Sequence, residues 1–319
     1  MKVKLSNNLL VAVLQAVLAV CRGIKMIVNY KMILQYDGTR YNGWQKQGNT
    51  KNTIQGKLEE ILSKYFEQEI ELHGSGRTDA GVHAVGQVAN FKVEYQKASI
   101  DKIYGAENSI GADKEAGGLK DNAVEKIKDE LNSFLPEDIR ILTLEQADNR
   151  FHARLNAVEK EYRYYISLDR KRDVFGRKYM AQLEHPEKLD IERMRSASER
   201  FIGEHDFQGF SDNKSKKSTI RRIDSIEFRL CGKNIDNADY MEEAHNGSIS
   251  AVQDGCLEII FCGNGFLYHT VRLIVGTLLA VGMGEASANV VDAVFESRDR
   301  KRVPYMAPAE GLFLYRVEY

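Results

Sequence analysis

In the run Gly74-Ser75-Gly76-Arg77-Thr78-Asp79-Ala80-Gly81-Val82-His83-Ala84, a cation, a hydroxyl, a carboxylate and an imidazole stand among small residues. Three glycines within eight positions argue against a continuous helix or strand. They favour a loop that turns sharply or lets another backbone approach. The residues flanking Asp79 are small, which leaves space around its carboxylate. Arg77 is the nearest formal partner in sequence. A guanidinium beside a carboxylate holds the acid ionised, below its free pKa of about 3.9. An ionised carboxylate suits nucleophilic or electrostatic work rather than proton donation. Composition alone is equally satisfied by a tight turn with a surface ion pair.

The string GRTDAGVHA, with Gly86-Gln87-Val88 after it, resembles the catalytic motif of the TruA family of tRNA pseudouridine synthases. Further segments follow in the family's order. Phe151-His152-Ala153-Arg154 with Tyr162-Arg163-Tyr164 is similar to its FHAR…YRY segment, and Gly203-Glu204-His205-Asp206-Phe207 to a signature read as structural. Phe266-Leu267-Tyr268-His269-Thr270-Val271-Arg272 with Val275-Gly276 resembles its helix, and Ala307 to Leu312 its C-terminal motif. The likeness spans roughly residues 30–319.

The resemblance implies an isomerase that converts uridine to pseudouridine in the tRNA anticodon stem-loop, at positions 38–40, working as a cytoplasmic homodimer. It implies Asp79 as nucleophile, Arg272 as its paired cation, Tyr162 as the aromatic wall against the target uracil and Leu312 as an apolar neighbour of the base. Arg77 becomes the residue that contacts or replaces the flipped nucleotide, and His83 reads as structural rather than as a general base. The reaction breaks N1–C1′, turns the freed uracil and rejoins it through C5, so no cofactor and no metal is expected. A stacked base must first be flipped into the cleft. Two other classes compete. A glycoside or nucleoside hydrolase needs a second carboxylate as acid, and none stands in these motifs. A non-catalytic RNA-binding module has no use for an Asp in a phosphate-binding cleft.

The remaining sequence must position these groups. Its 319 residues, 43% hydrophobic and 29% charged, describe a globular chain of one large or two medium domains. Lys+Arg 45 against Asp+Glu 46 gives no global basic signature, so an RNA binder must concentrate its positive charge locally. Lys214, Lys216, Lys217, Arg221 and Arg222 do so, as do residues 170–178 and 298–302, while residues 234–254 are acidic and belong away from phosphate. Tyr41 and Trp44 offer flat surfaces for stacking on an unpaired base, or else belong to the core. Cys21, Cys231, Cys256 and Cys262 form no metal-binding or disulfide pattern, which fits a reduced compartment.

Residues 1–29 carry an apolar run, Leu9 to Val20, too short for an ordinary membrane span and without a cleavage site near Cys21. A helical extension or a start at Met26 or Met32 are the alternatives, and they are excluded from the expected fold. The fold expected is α+β. Residues 30–148 form one βαββαβ half carrying the Asp79 loop, and 149–319 a second. Alternation such as Ala89, Phe91, Val93 and Tyr95 marks strands. Ile54, Leu58, Ile61 and Leu62, capped by Asn52 with Gln55, mark a helix. Two such units predict ferredoxin-like halves around a central antiparallel sheet with an RNA-binding cleft between them.

Overall fold

The computed structural model describes residues 25–48, 50–96, 121–169, 174–212, 218–231 and 255–319. In the first half, β1 (Lys25–Tyr36), α1 (Ile54–Tyr65), β2 (Leu72–Gly74), β3 (His83–Gln96), α2 (Asp121–Phe134) and β4 (Ile139–Ala147) follow as βαββαβ. The second half runs β5 (Glu159–Ser167), β6 (Ala181–Gln182), α3 (Ile191–Ser198), β7 (Gly203–Asp206) and β8 (Ile220–Cys231). It continues with β9 (Cys256–Gly263), α4 (Thr270–Gly282), α5 (Asn289–Ser297) and β10 (Leu312–Glu318). Without the short strands β6 and β7 and the extra α5, the order is again βαββαβ.

The strands form one sheet in the order β4-β1-β3-β10-β5-β9-β8-β7, with β2 added on β3 and β6 on β5. Each half therefore has the same internal order, β4-β1-β3-β2 and β10-β5-β9-β8, as ferredoxin-like units require. The sheet is mostly antiparallel. The halves meet where β10 runs parallel to the start of β3, Phe313 opposite His83 and Leu314 opposite Ala84. Farther along the same edge of β3, β2 takes over, Leu72 opposite Phe91 and Gly74 opposite Ala89. The loop from β2 to β3, which carries Asp79, thus opens at this seam.

Cross-strand register explains why one core serves both halves. Tyr30 faces Phe91, Leu314 faces Tyr162, Tyr162 faces Phe261 and Ile259 faces Phe228. These side chains lie in one apolar cluster with Leu58, Leu131, Met194, Ile274 and Val294 of the five helices. Burying each large apolar side chain contributes about 1.5–3 kcal/mol, so the core stabilises the seam as well as the halves.

Several local expectations change. The N-cap of α1 is Thr53, whose hydroxyl accepts from the Gly56 N–H at 3.2 Å; the Asn52 amide instead donates to the Arg40 carbonyl. The helix expected from Phe266 begins at Thr270, because Gly265 and His269 have positive φ and break the run. Tyr41 and Trp44 are buried in the core, and the Tyr41 hydroxyl donates to Asp138 Oδ1 at 2.6 Å, so neither is a free stacking surface.

The boundary at residue 30 falls inside a strand. Lys25 to Asn29 pair with β3, Val28 is buried, and Asn29 donates to the Asp148 and Phe151 carbonyls at 2.8 and 2.9 Å. These last bonds hold the connection between the halves. A chain starting at Met26 is expected to fold as the full chain does. One starting at Met32 should lose about 3 kcal/mol or more, from Val28's burial and the Asn29 hydrogen bonds. Thermal unfolding of the two truncations checks this; equal stability would contradict it.

The run from Leu9 to Val20, the acidic stretch 234–254, most of the Gly- and Asp-containing stretch 108–126, Lys214, Lys216, Lys217 and residues 170–173 lie outside the described residues. Among the described residues no helix is long and apolar enough to cross a membrane.

Candidate active site

The Asp79 loop is held from beneath by backbone. The Ser75 N–H donates to the Val88 carbonyl at 2.7 Å, the Trp44 N–H to the Thr78 carbonyl at 3.0 Å, and the Val82 N–H to Asp79's own carbonyl at 3.2 Å. That last turn ends at Gly81, whose φ of +79° is a conformation side-chain-bearing residues resist. Side chains complete the frame. Tyr36 and Thr78 share a hydroxyl–hydroxyl hydrogen bond of 2.8 Å, and the Gln87 amide donates to the Gly76 carbonyl at 3.1 Å. Lys160 of β5 donates to the Ser75 carbonyl at 2.6 Å.

The second half supplies the charge. Arg272, in the first turn of α4, places Nη1 3.3 Å from Asp79 Oδ2, and His269 places Nε2 3.6 Å from the same oxygen. Arg272 is itself fixed, its Nε donating to the Ala307 carbonyl at 2.8 Å and its own carbonyl accepting from the Ala307 N–H at 3.0 Å. Among the described residues nothing hydrogen-bonds Asp79 Oδ1. The carboxylate is therefore gripped on one side and open on the other.

Arg77 is not Asp79's partner. It is exposed, and its Nε donates to Gln45 Oε1 at 2.9 Å. The direction of Asp79's pKa also reverses the expectation. Burial pushes its carboxyl above the ordinary aspartate value and outweighs the opposing pull of His269 and Arg272, with Asp212 adding repulsion.

Tyr162 is buried on β5, edge-on to Phe266 with ring centroids 5.2 Å apart. Burial drives its phenol well upward, as it does Tyr36's, and the neighbouring Asp79 charge acts in the same direction on both. Both hydroxyls thus stay protonated in neutral solution. Leu312 is buried at the start of β10, opposite Tyr164, its N–H donating to the Ala309 carbonyl at 3.0 Å. His83 is buried against Phe313, with its Nδ1 facing Asp37 and the Gly38 N–H and its Nε2 facing the Lys178 carbonyl.

Two neighbours of Asp79 escaped the sequence reading. His269 stands three residues before Arg272, the spacing that brings two side chains to one side of a helix start, and that spacing was the available signal. Asp212, whose Oδ2 lies 2.7 Å from His269 Nδ1, gave no signal in sequence. Lys160 was also missed. Burial, with Arg154 and Arg221 nearby, pushes its ammonium down to about 8. The expected basic runs are partly committed elsewhere: Arg298 pairs with Asp206 at 3.2 Å and Arg300 with Asp212 at 3.1 Å. Among the described residues no group of three or more His, Cys, Asp or Glu is arranged to hold a metal ion.

The protein is thus of the α+β class, a mixed sheet of paired ferredoxin-like halves with the Asp79 carboxylate and the Arg272 guanidinium meeting across the joint. The sequence profile of the tRNA pseudouridine synthase family matches residues 32–156 and 197–319, and the chain belongs to that family. It is 41% identical over 292 residues to tRNA pseudouridine synthase A of Bacillus sp. (strain KSM-64), covering 91% of this chain and 99% of that protein. It is 36% identical over 293 residues to tRNA pseudouridine synthase A of Thermodesulfovibrio yellowstonii, covering 92% of this chain and 100% of that protein. The tRNA pseudouridine synthase A of Listeria innocua is likewise 36% identical, over 296 residues.

Proposed function

We propose that this chain isomerises uridine to pseudouridine at positions 38–40 of the tRNA anticodon stem-loop, with Asp79 as the nucleophile. The observation that carries the reading is the Asp79 carboxylate itself. One oxygen faces Arg272 and His269, while the other has no hydrogen-bond partner among the described residues and is left for substrate. Arg272 counters the burial that disfavours the ionised acid, and the ionised form is the one that attacks.

In this reading the target nucleotide leaves its stack and enters the seam. Arg77, exposed beside the loop, meets the displaced strand. Asp79 acts on the nucleotide as N1–C1′ breaks, and Tyr162 walls the freed uracil while it turns. C5 then bonds to C1′ and gives up its proton. Leu312 supports the base from the apolar side. No cofactor or metal takes part. The halves 30–148 and 149–319 act as two jaws, and the enzyme works in the cytoplasm as a homodimer, with tRNA as its partner. The relatives' names support a tRNA substrate.

The test is site mapping. Unmodified tRNA transcripts carrying uridine at 38, 39 or 40 should gain pseudouridine there, and transcripts with cytidine at those positions should gain none. Pseudouridine appearing only in another arm of the tRNA would overturn the assigned position. Free uracil released from the RNA would favour the hydrolase reading instead.

A further inference from the structure

We propose that His269, oriented by Asp212, is a positioning residue that sets the charge and aim of Asp79. The proposal rests on Asp79 being the nucleophile, and it adds a second support behind the one Arg272 provides. The imidazole bridges two carboxylates, Nδ1 lying 2.7 Å from Asp212 Oδ2 and Nε2 3.6 Å from Asp79 Oδ2. An acceptor on Nδ1 fixes that nitrogen as N–H, which leaves Nε2 as the atom that faces Asp79.

The support behind the ring is built. Arg300 Nε donates to Asp212 Oδ1 at 3.1 Å. The Asp212 N–H and the Ser211 hydroxyl both donate to the Tyr268 carbonyl, at 3.2 and 3.3 Å, and the Thr270 hydroxyl donates to the Phe210 carbonyl at 2.9 Å. These bonds bind residues 210–212 to the start of α4. Tyr268 stacks on the imidazole, with ring centroids 3.7 Å apart. His269 itself sits at φ 68°, ψ −2°, and makes no side-chain capping bond to the helix it precedes. A residue other than glycine rarely adopts this left-handed conformation without surrounding structure that enforces it. The effect is to turn the ring from the helix toward the Asp79 loop.

The charged and titratable groups facing this pair are Arg272 of α4, Asp212 and Arg300 from the neighbouring loops, Tyr268 above the ring, and Tyr162 of β5 and Tyr36 of β1 around Asp79. A protonated His269 favours ionised Asp79, whereas Asp212 acting directly would oppose it. Asp212 is thus useful to Asp79 only through the ring.

The test uses the full chain with His269→Asn, Asp212→Asn and the double variant, since Asn tolerates the left-handed backbone. Single-turnover tritium release from C5-labelled tRNA is measured against pH, alongside tRNA affinity and thermal stability. His269→Asn should keep tRNA affinity and lose on the order of 10²-fold in rate. Its acid limb should move to higher pH, because Asp79 has lost a neighbour that favours its ionised form. Asp212→Asn should lose a similar factor, and the double variant no more than His269→Asn alone. A wild-type rate and acid limb in His269→Asn would overturn the proposal. So would singles whose losses multiply in the double, or a rate loss that follows thermal stability with an unmoved acid limb. Asp79→Asn is run in parallel. If it stays active, the nucleophile reading fails; if it is inactive while His269→Asn behaves as wild type, only the present proposal fails.

Discussion

Asp79→Asn is expected to abolish isomerisation, by roughly 10⁴-fold or more, while tRNA binding survives. The substitution keeps the shape of the side chain and removes the charge that makes it a nucleophile. Tritium release from C5-labelled uridine is the direct assay, because C5 loses its hydrogen only when the new bond forms there. The variant should also be at least as stable as the natural chain. Burial raises the folded-state pKa of Asp79 above its unfolded value. The stabilising effect of the uncharged acid is therefore fully present below the unfolded pKa and lost as pH rises through the folded one. An uncharged amide retains it at neutral pH. Arg272 is not stranded by the change, since its Nε still donates to the Ala307 carbonyl. A folded, tRNA-binding Asp79→Asn protein that still releases tritium would remove Asp79 from the chemistry, and a marked fall in melting temperature would contradict the electrostatic account.

Gly86→Ala is expected to force the seam apart and to lower both stability and rate. A Cβ at Gly86 on β3 would lie 2.3 Å from the carbonyl oxygen of Tyr315 on β10 and 3.2 Å from its carbon. Both are backbone atoms and cannot swing aside, so the strands must part. Overpacking of this kind costs about 1–3 kcal/mol. The same displacement separates the Asp79 loop, which leads into β3, from Arg272 and the segment Ala307 to Leu312 that leads into β10. A shift near 1 Å between reacting groups can lower a rate on the order of 10²-fold. Gly48→Ala is the control, because its Cβ would meet nothing within 4 Å among the described residues. Melting temperature and tritium release should both fall in Gly86→Ala and neither in the control; an unchanged Gly86→Ala protein would mean that the seam yields at little cost.

The sequence exposed what repeats locally. Alternation along Ala89, Phe91, Val93 and Tyr95 identified β3, and helical spacing from Ile54 to Leu62 identified α1. Glycine spacing marked the Asp79 loop. Interactions between distant residues were not visible. Arg77 stood two residues from Asp79 and drew the assignment, yet the cation that reaches the carboxylate by geometry is Arg272 of the other half, 193 residues on. Family resemblance, and not spacing, pointed to it. Asp212 gave no signal because its link to Asp79 runs through a ring in another segment. Burial was equally hidden, so the pKa of Asp79 was expected to fall where desolvation raises it. Trp44 and Tyr41 illustrate the same limit: an aromatic residue in a polar loop reads alike whether it faces solvent or, as here, the core.

β10 follows Asp79 and Arg272 in sequence and is also the strand that joins β3 to β5. During synthesis the Asp79 loop leaves the ribosome long before Arg272, and the strand that aligns them emerges later still. A nascent chain can complete its first half and most of its second while the carboxylate still lacks a fixed counterpart. The site is therefore assembled only once Leu312 to Glu318 have emerged and paired between β3 and β5.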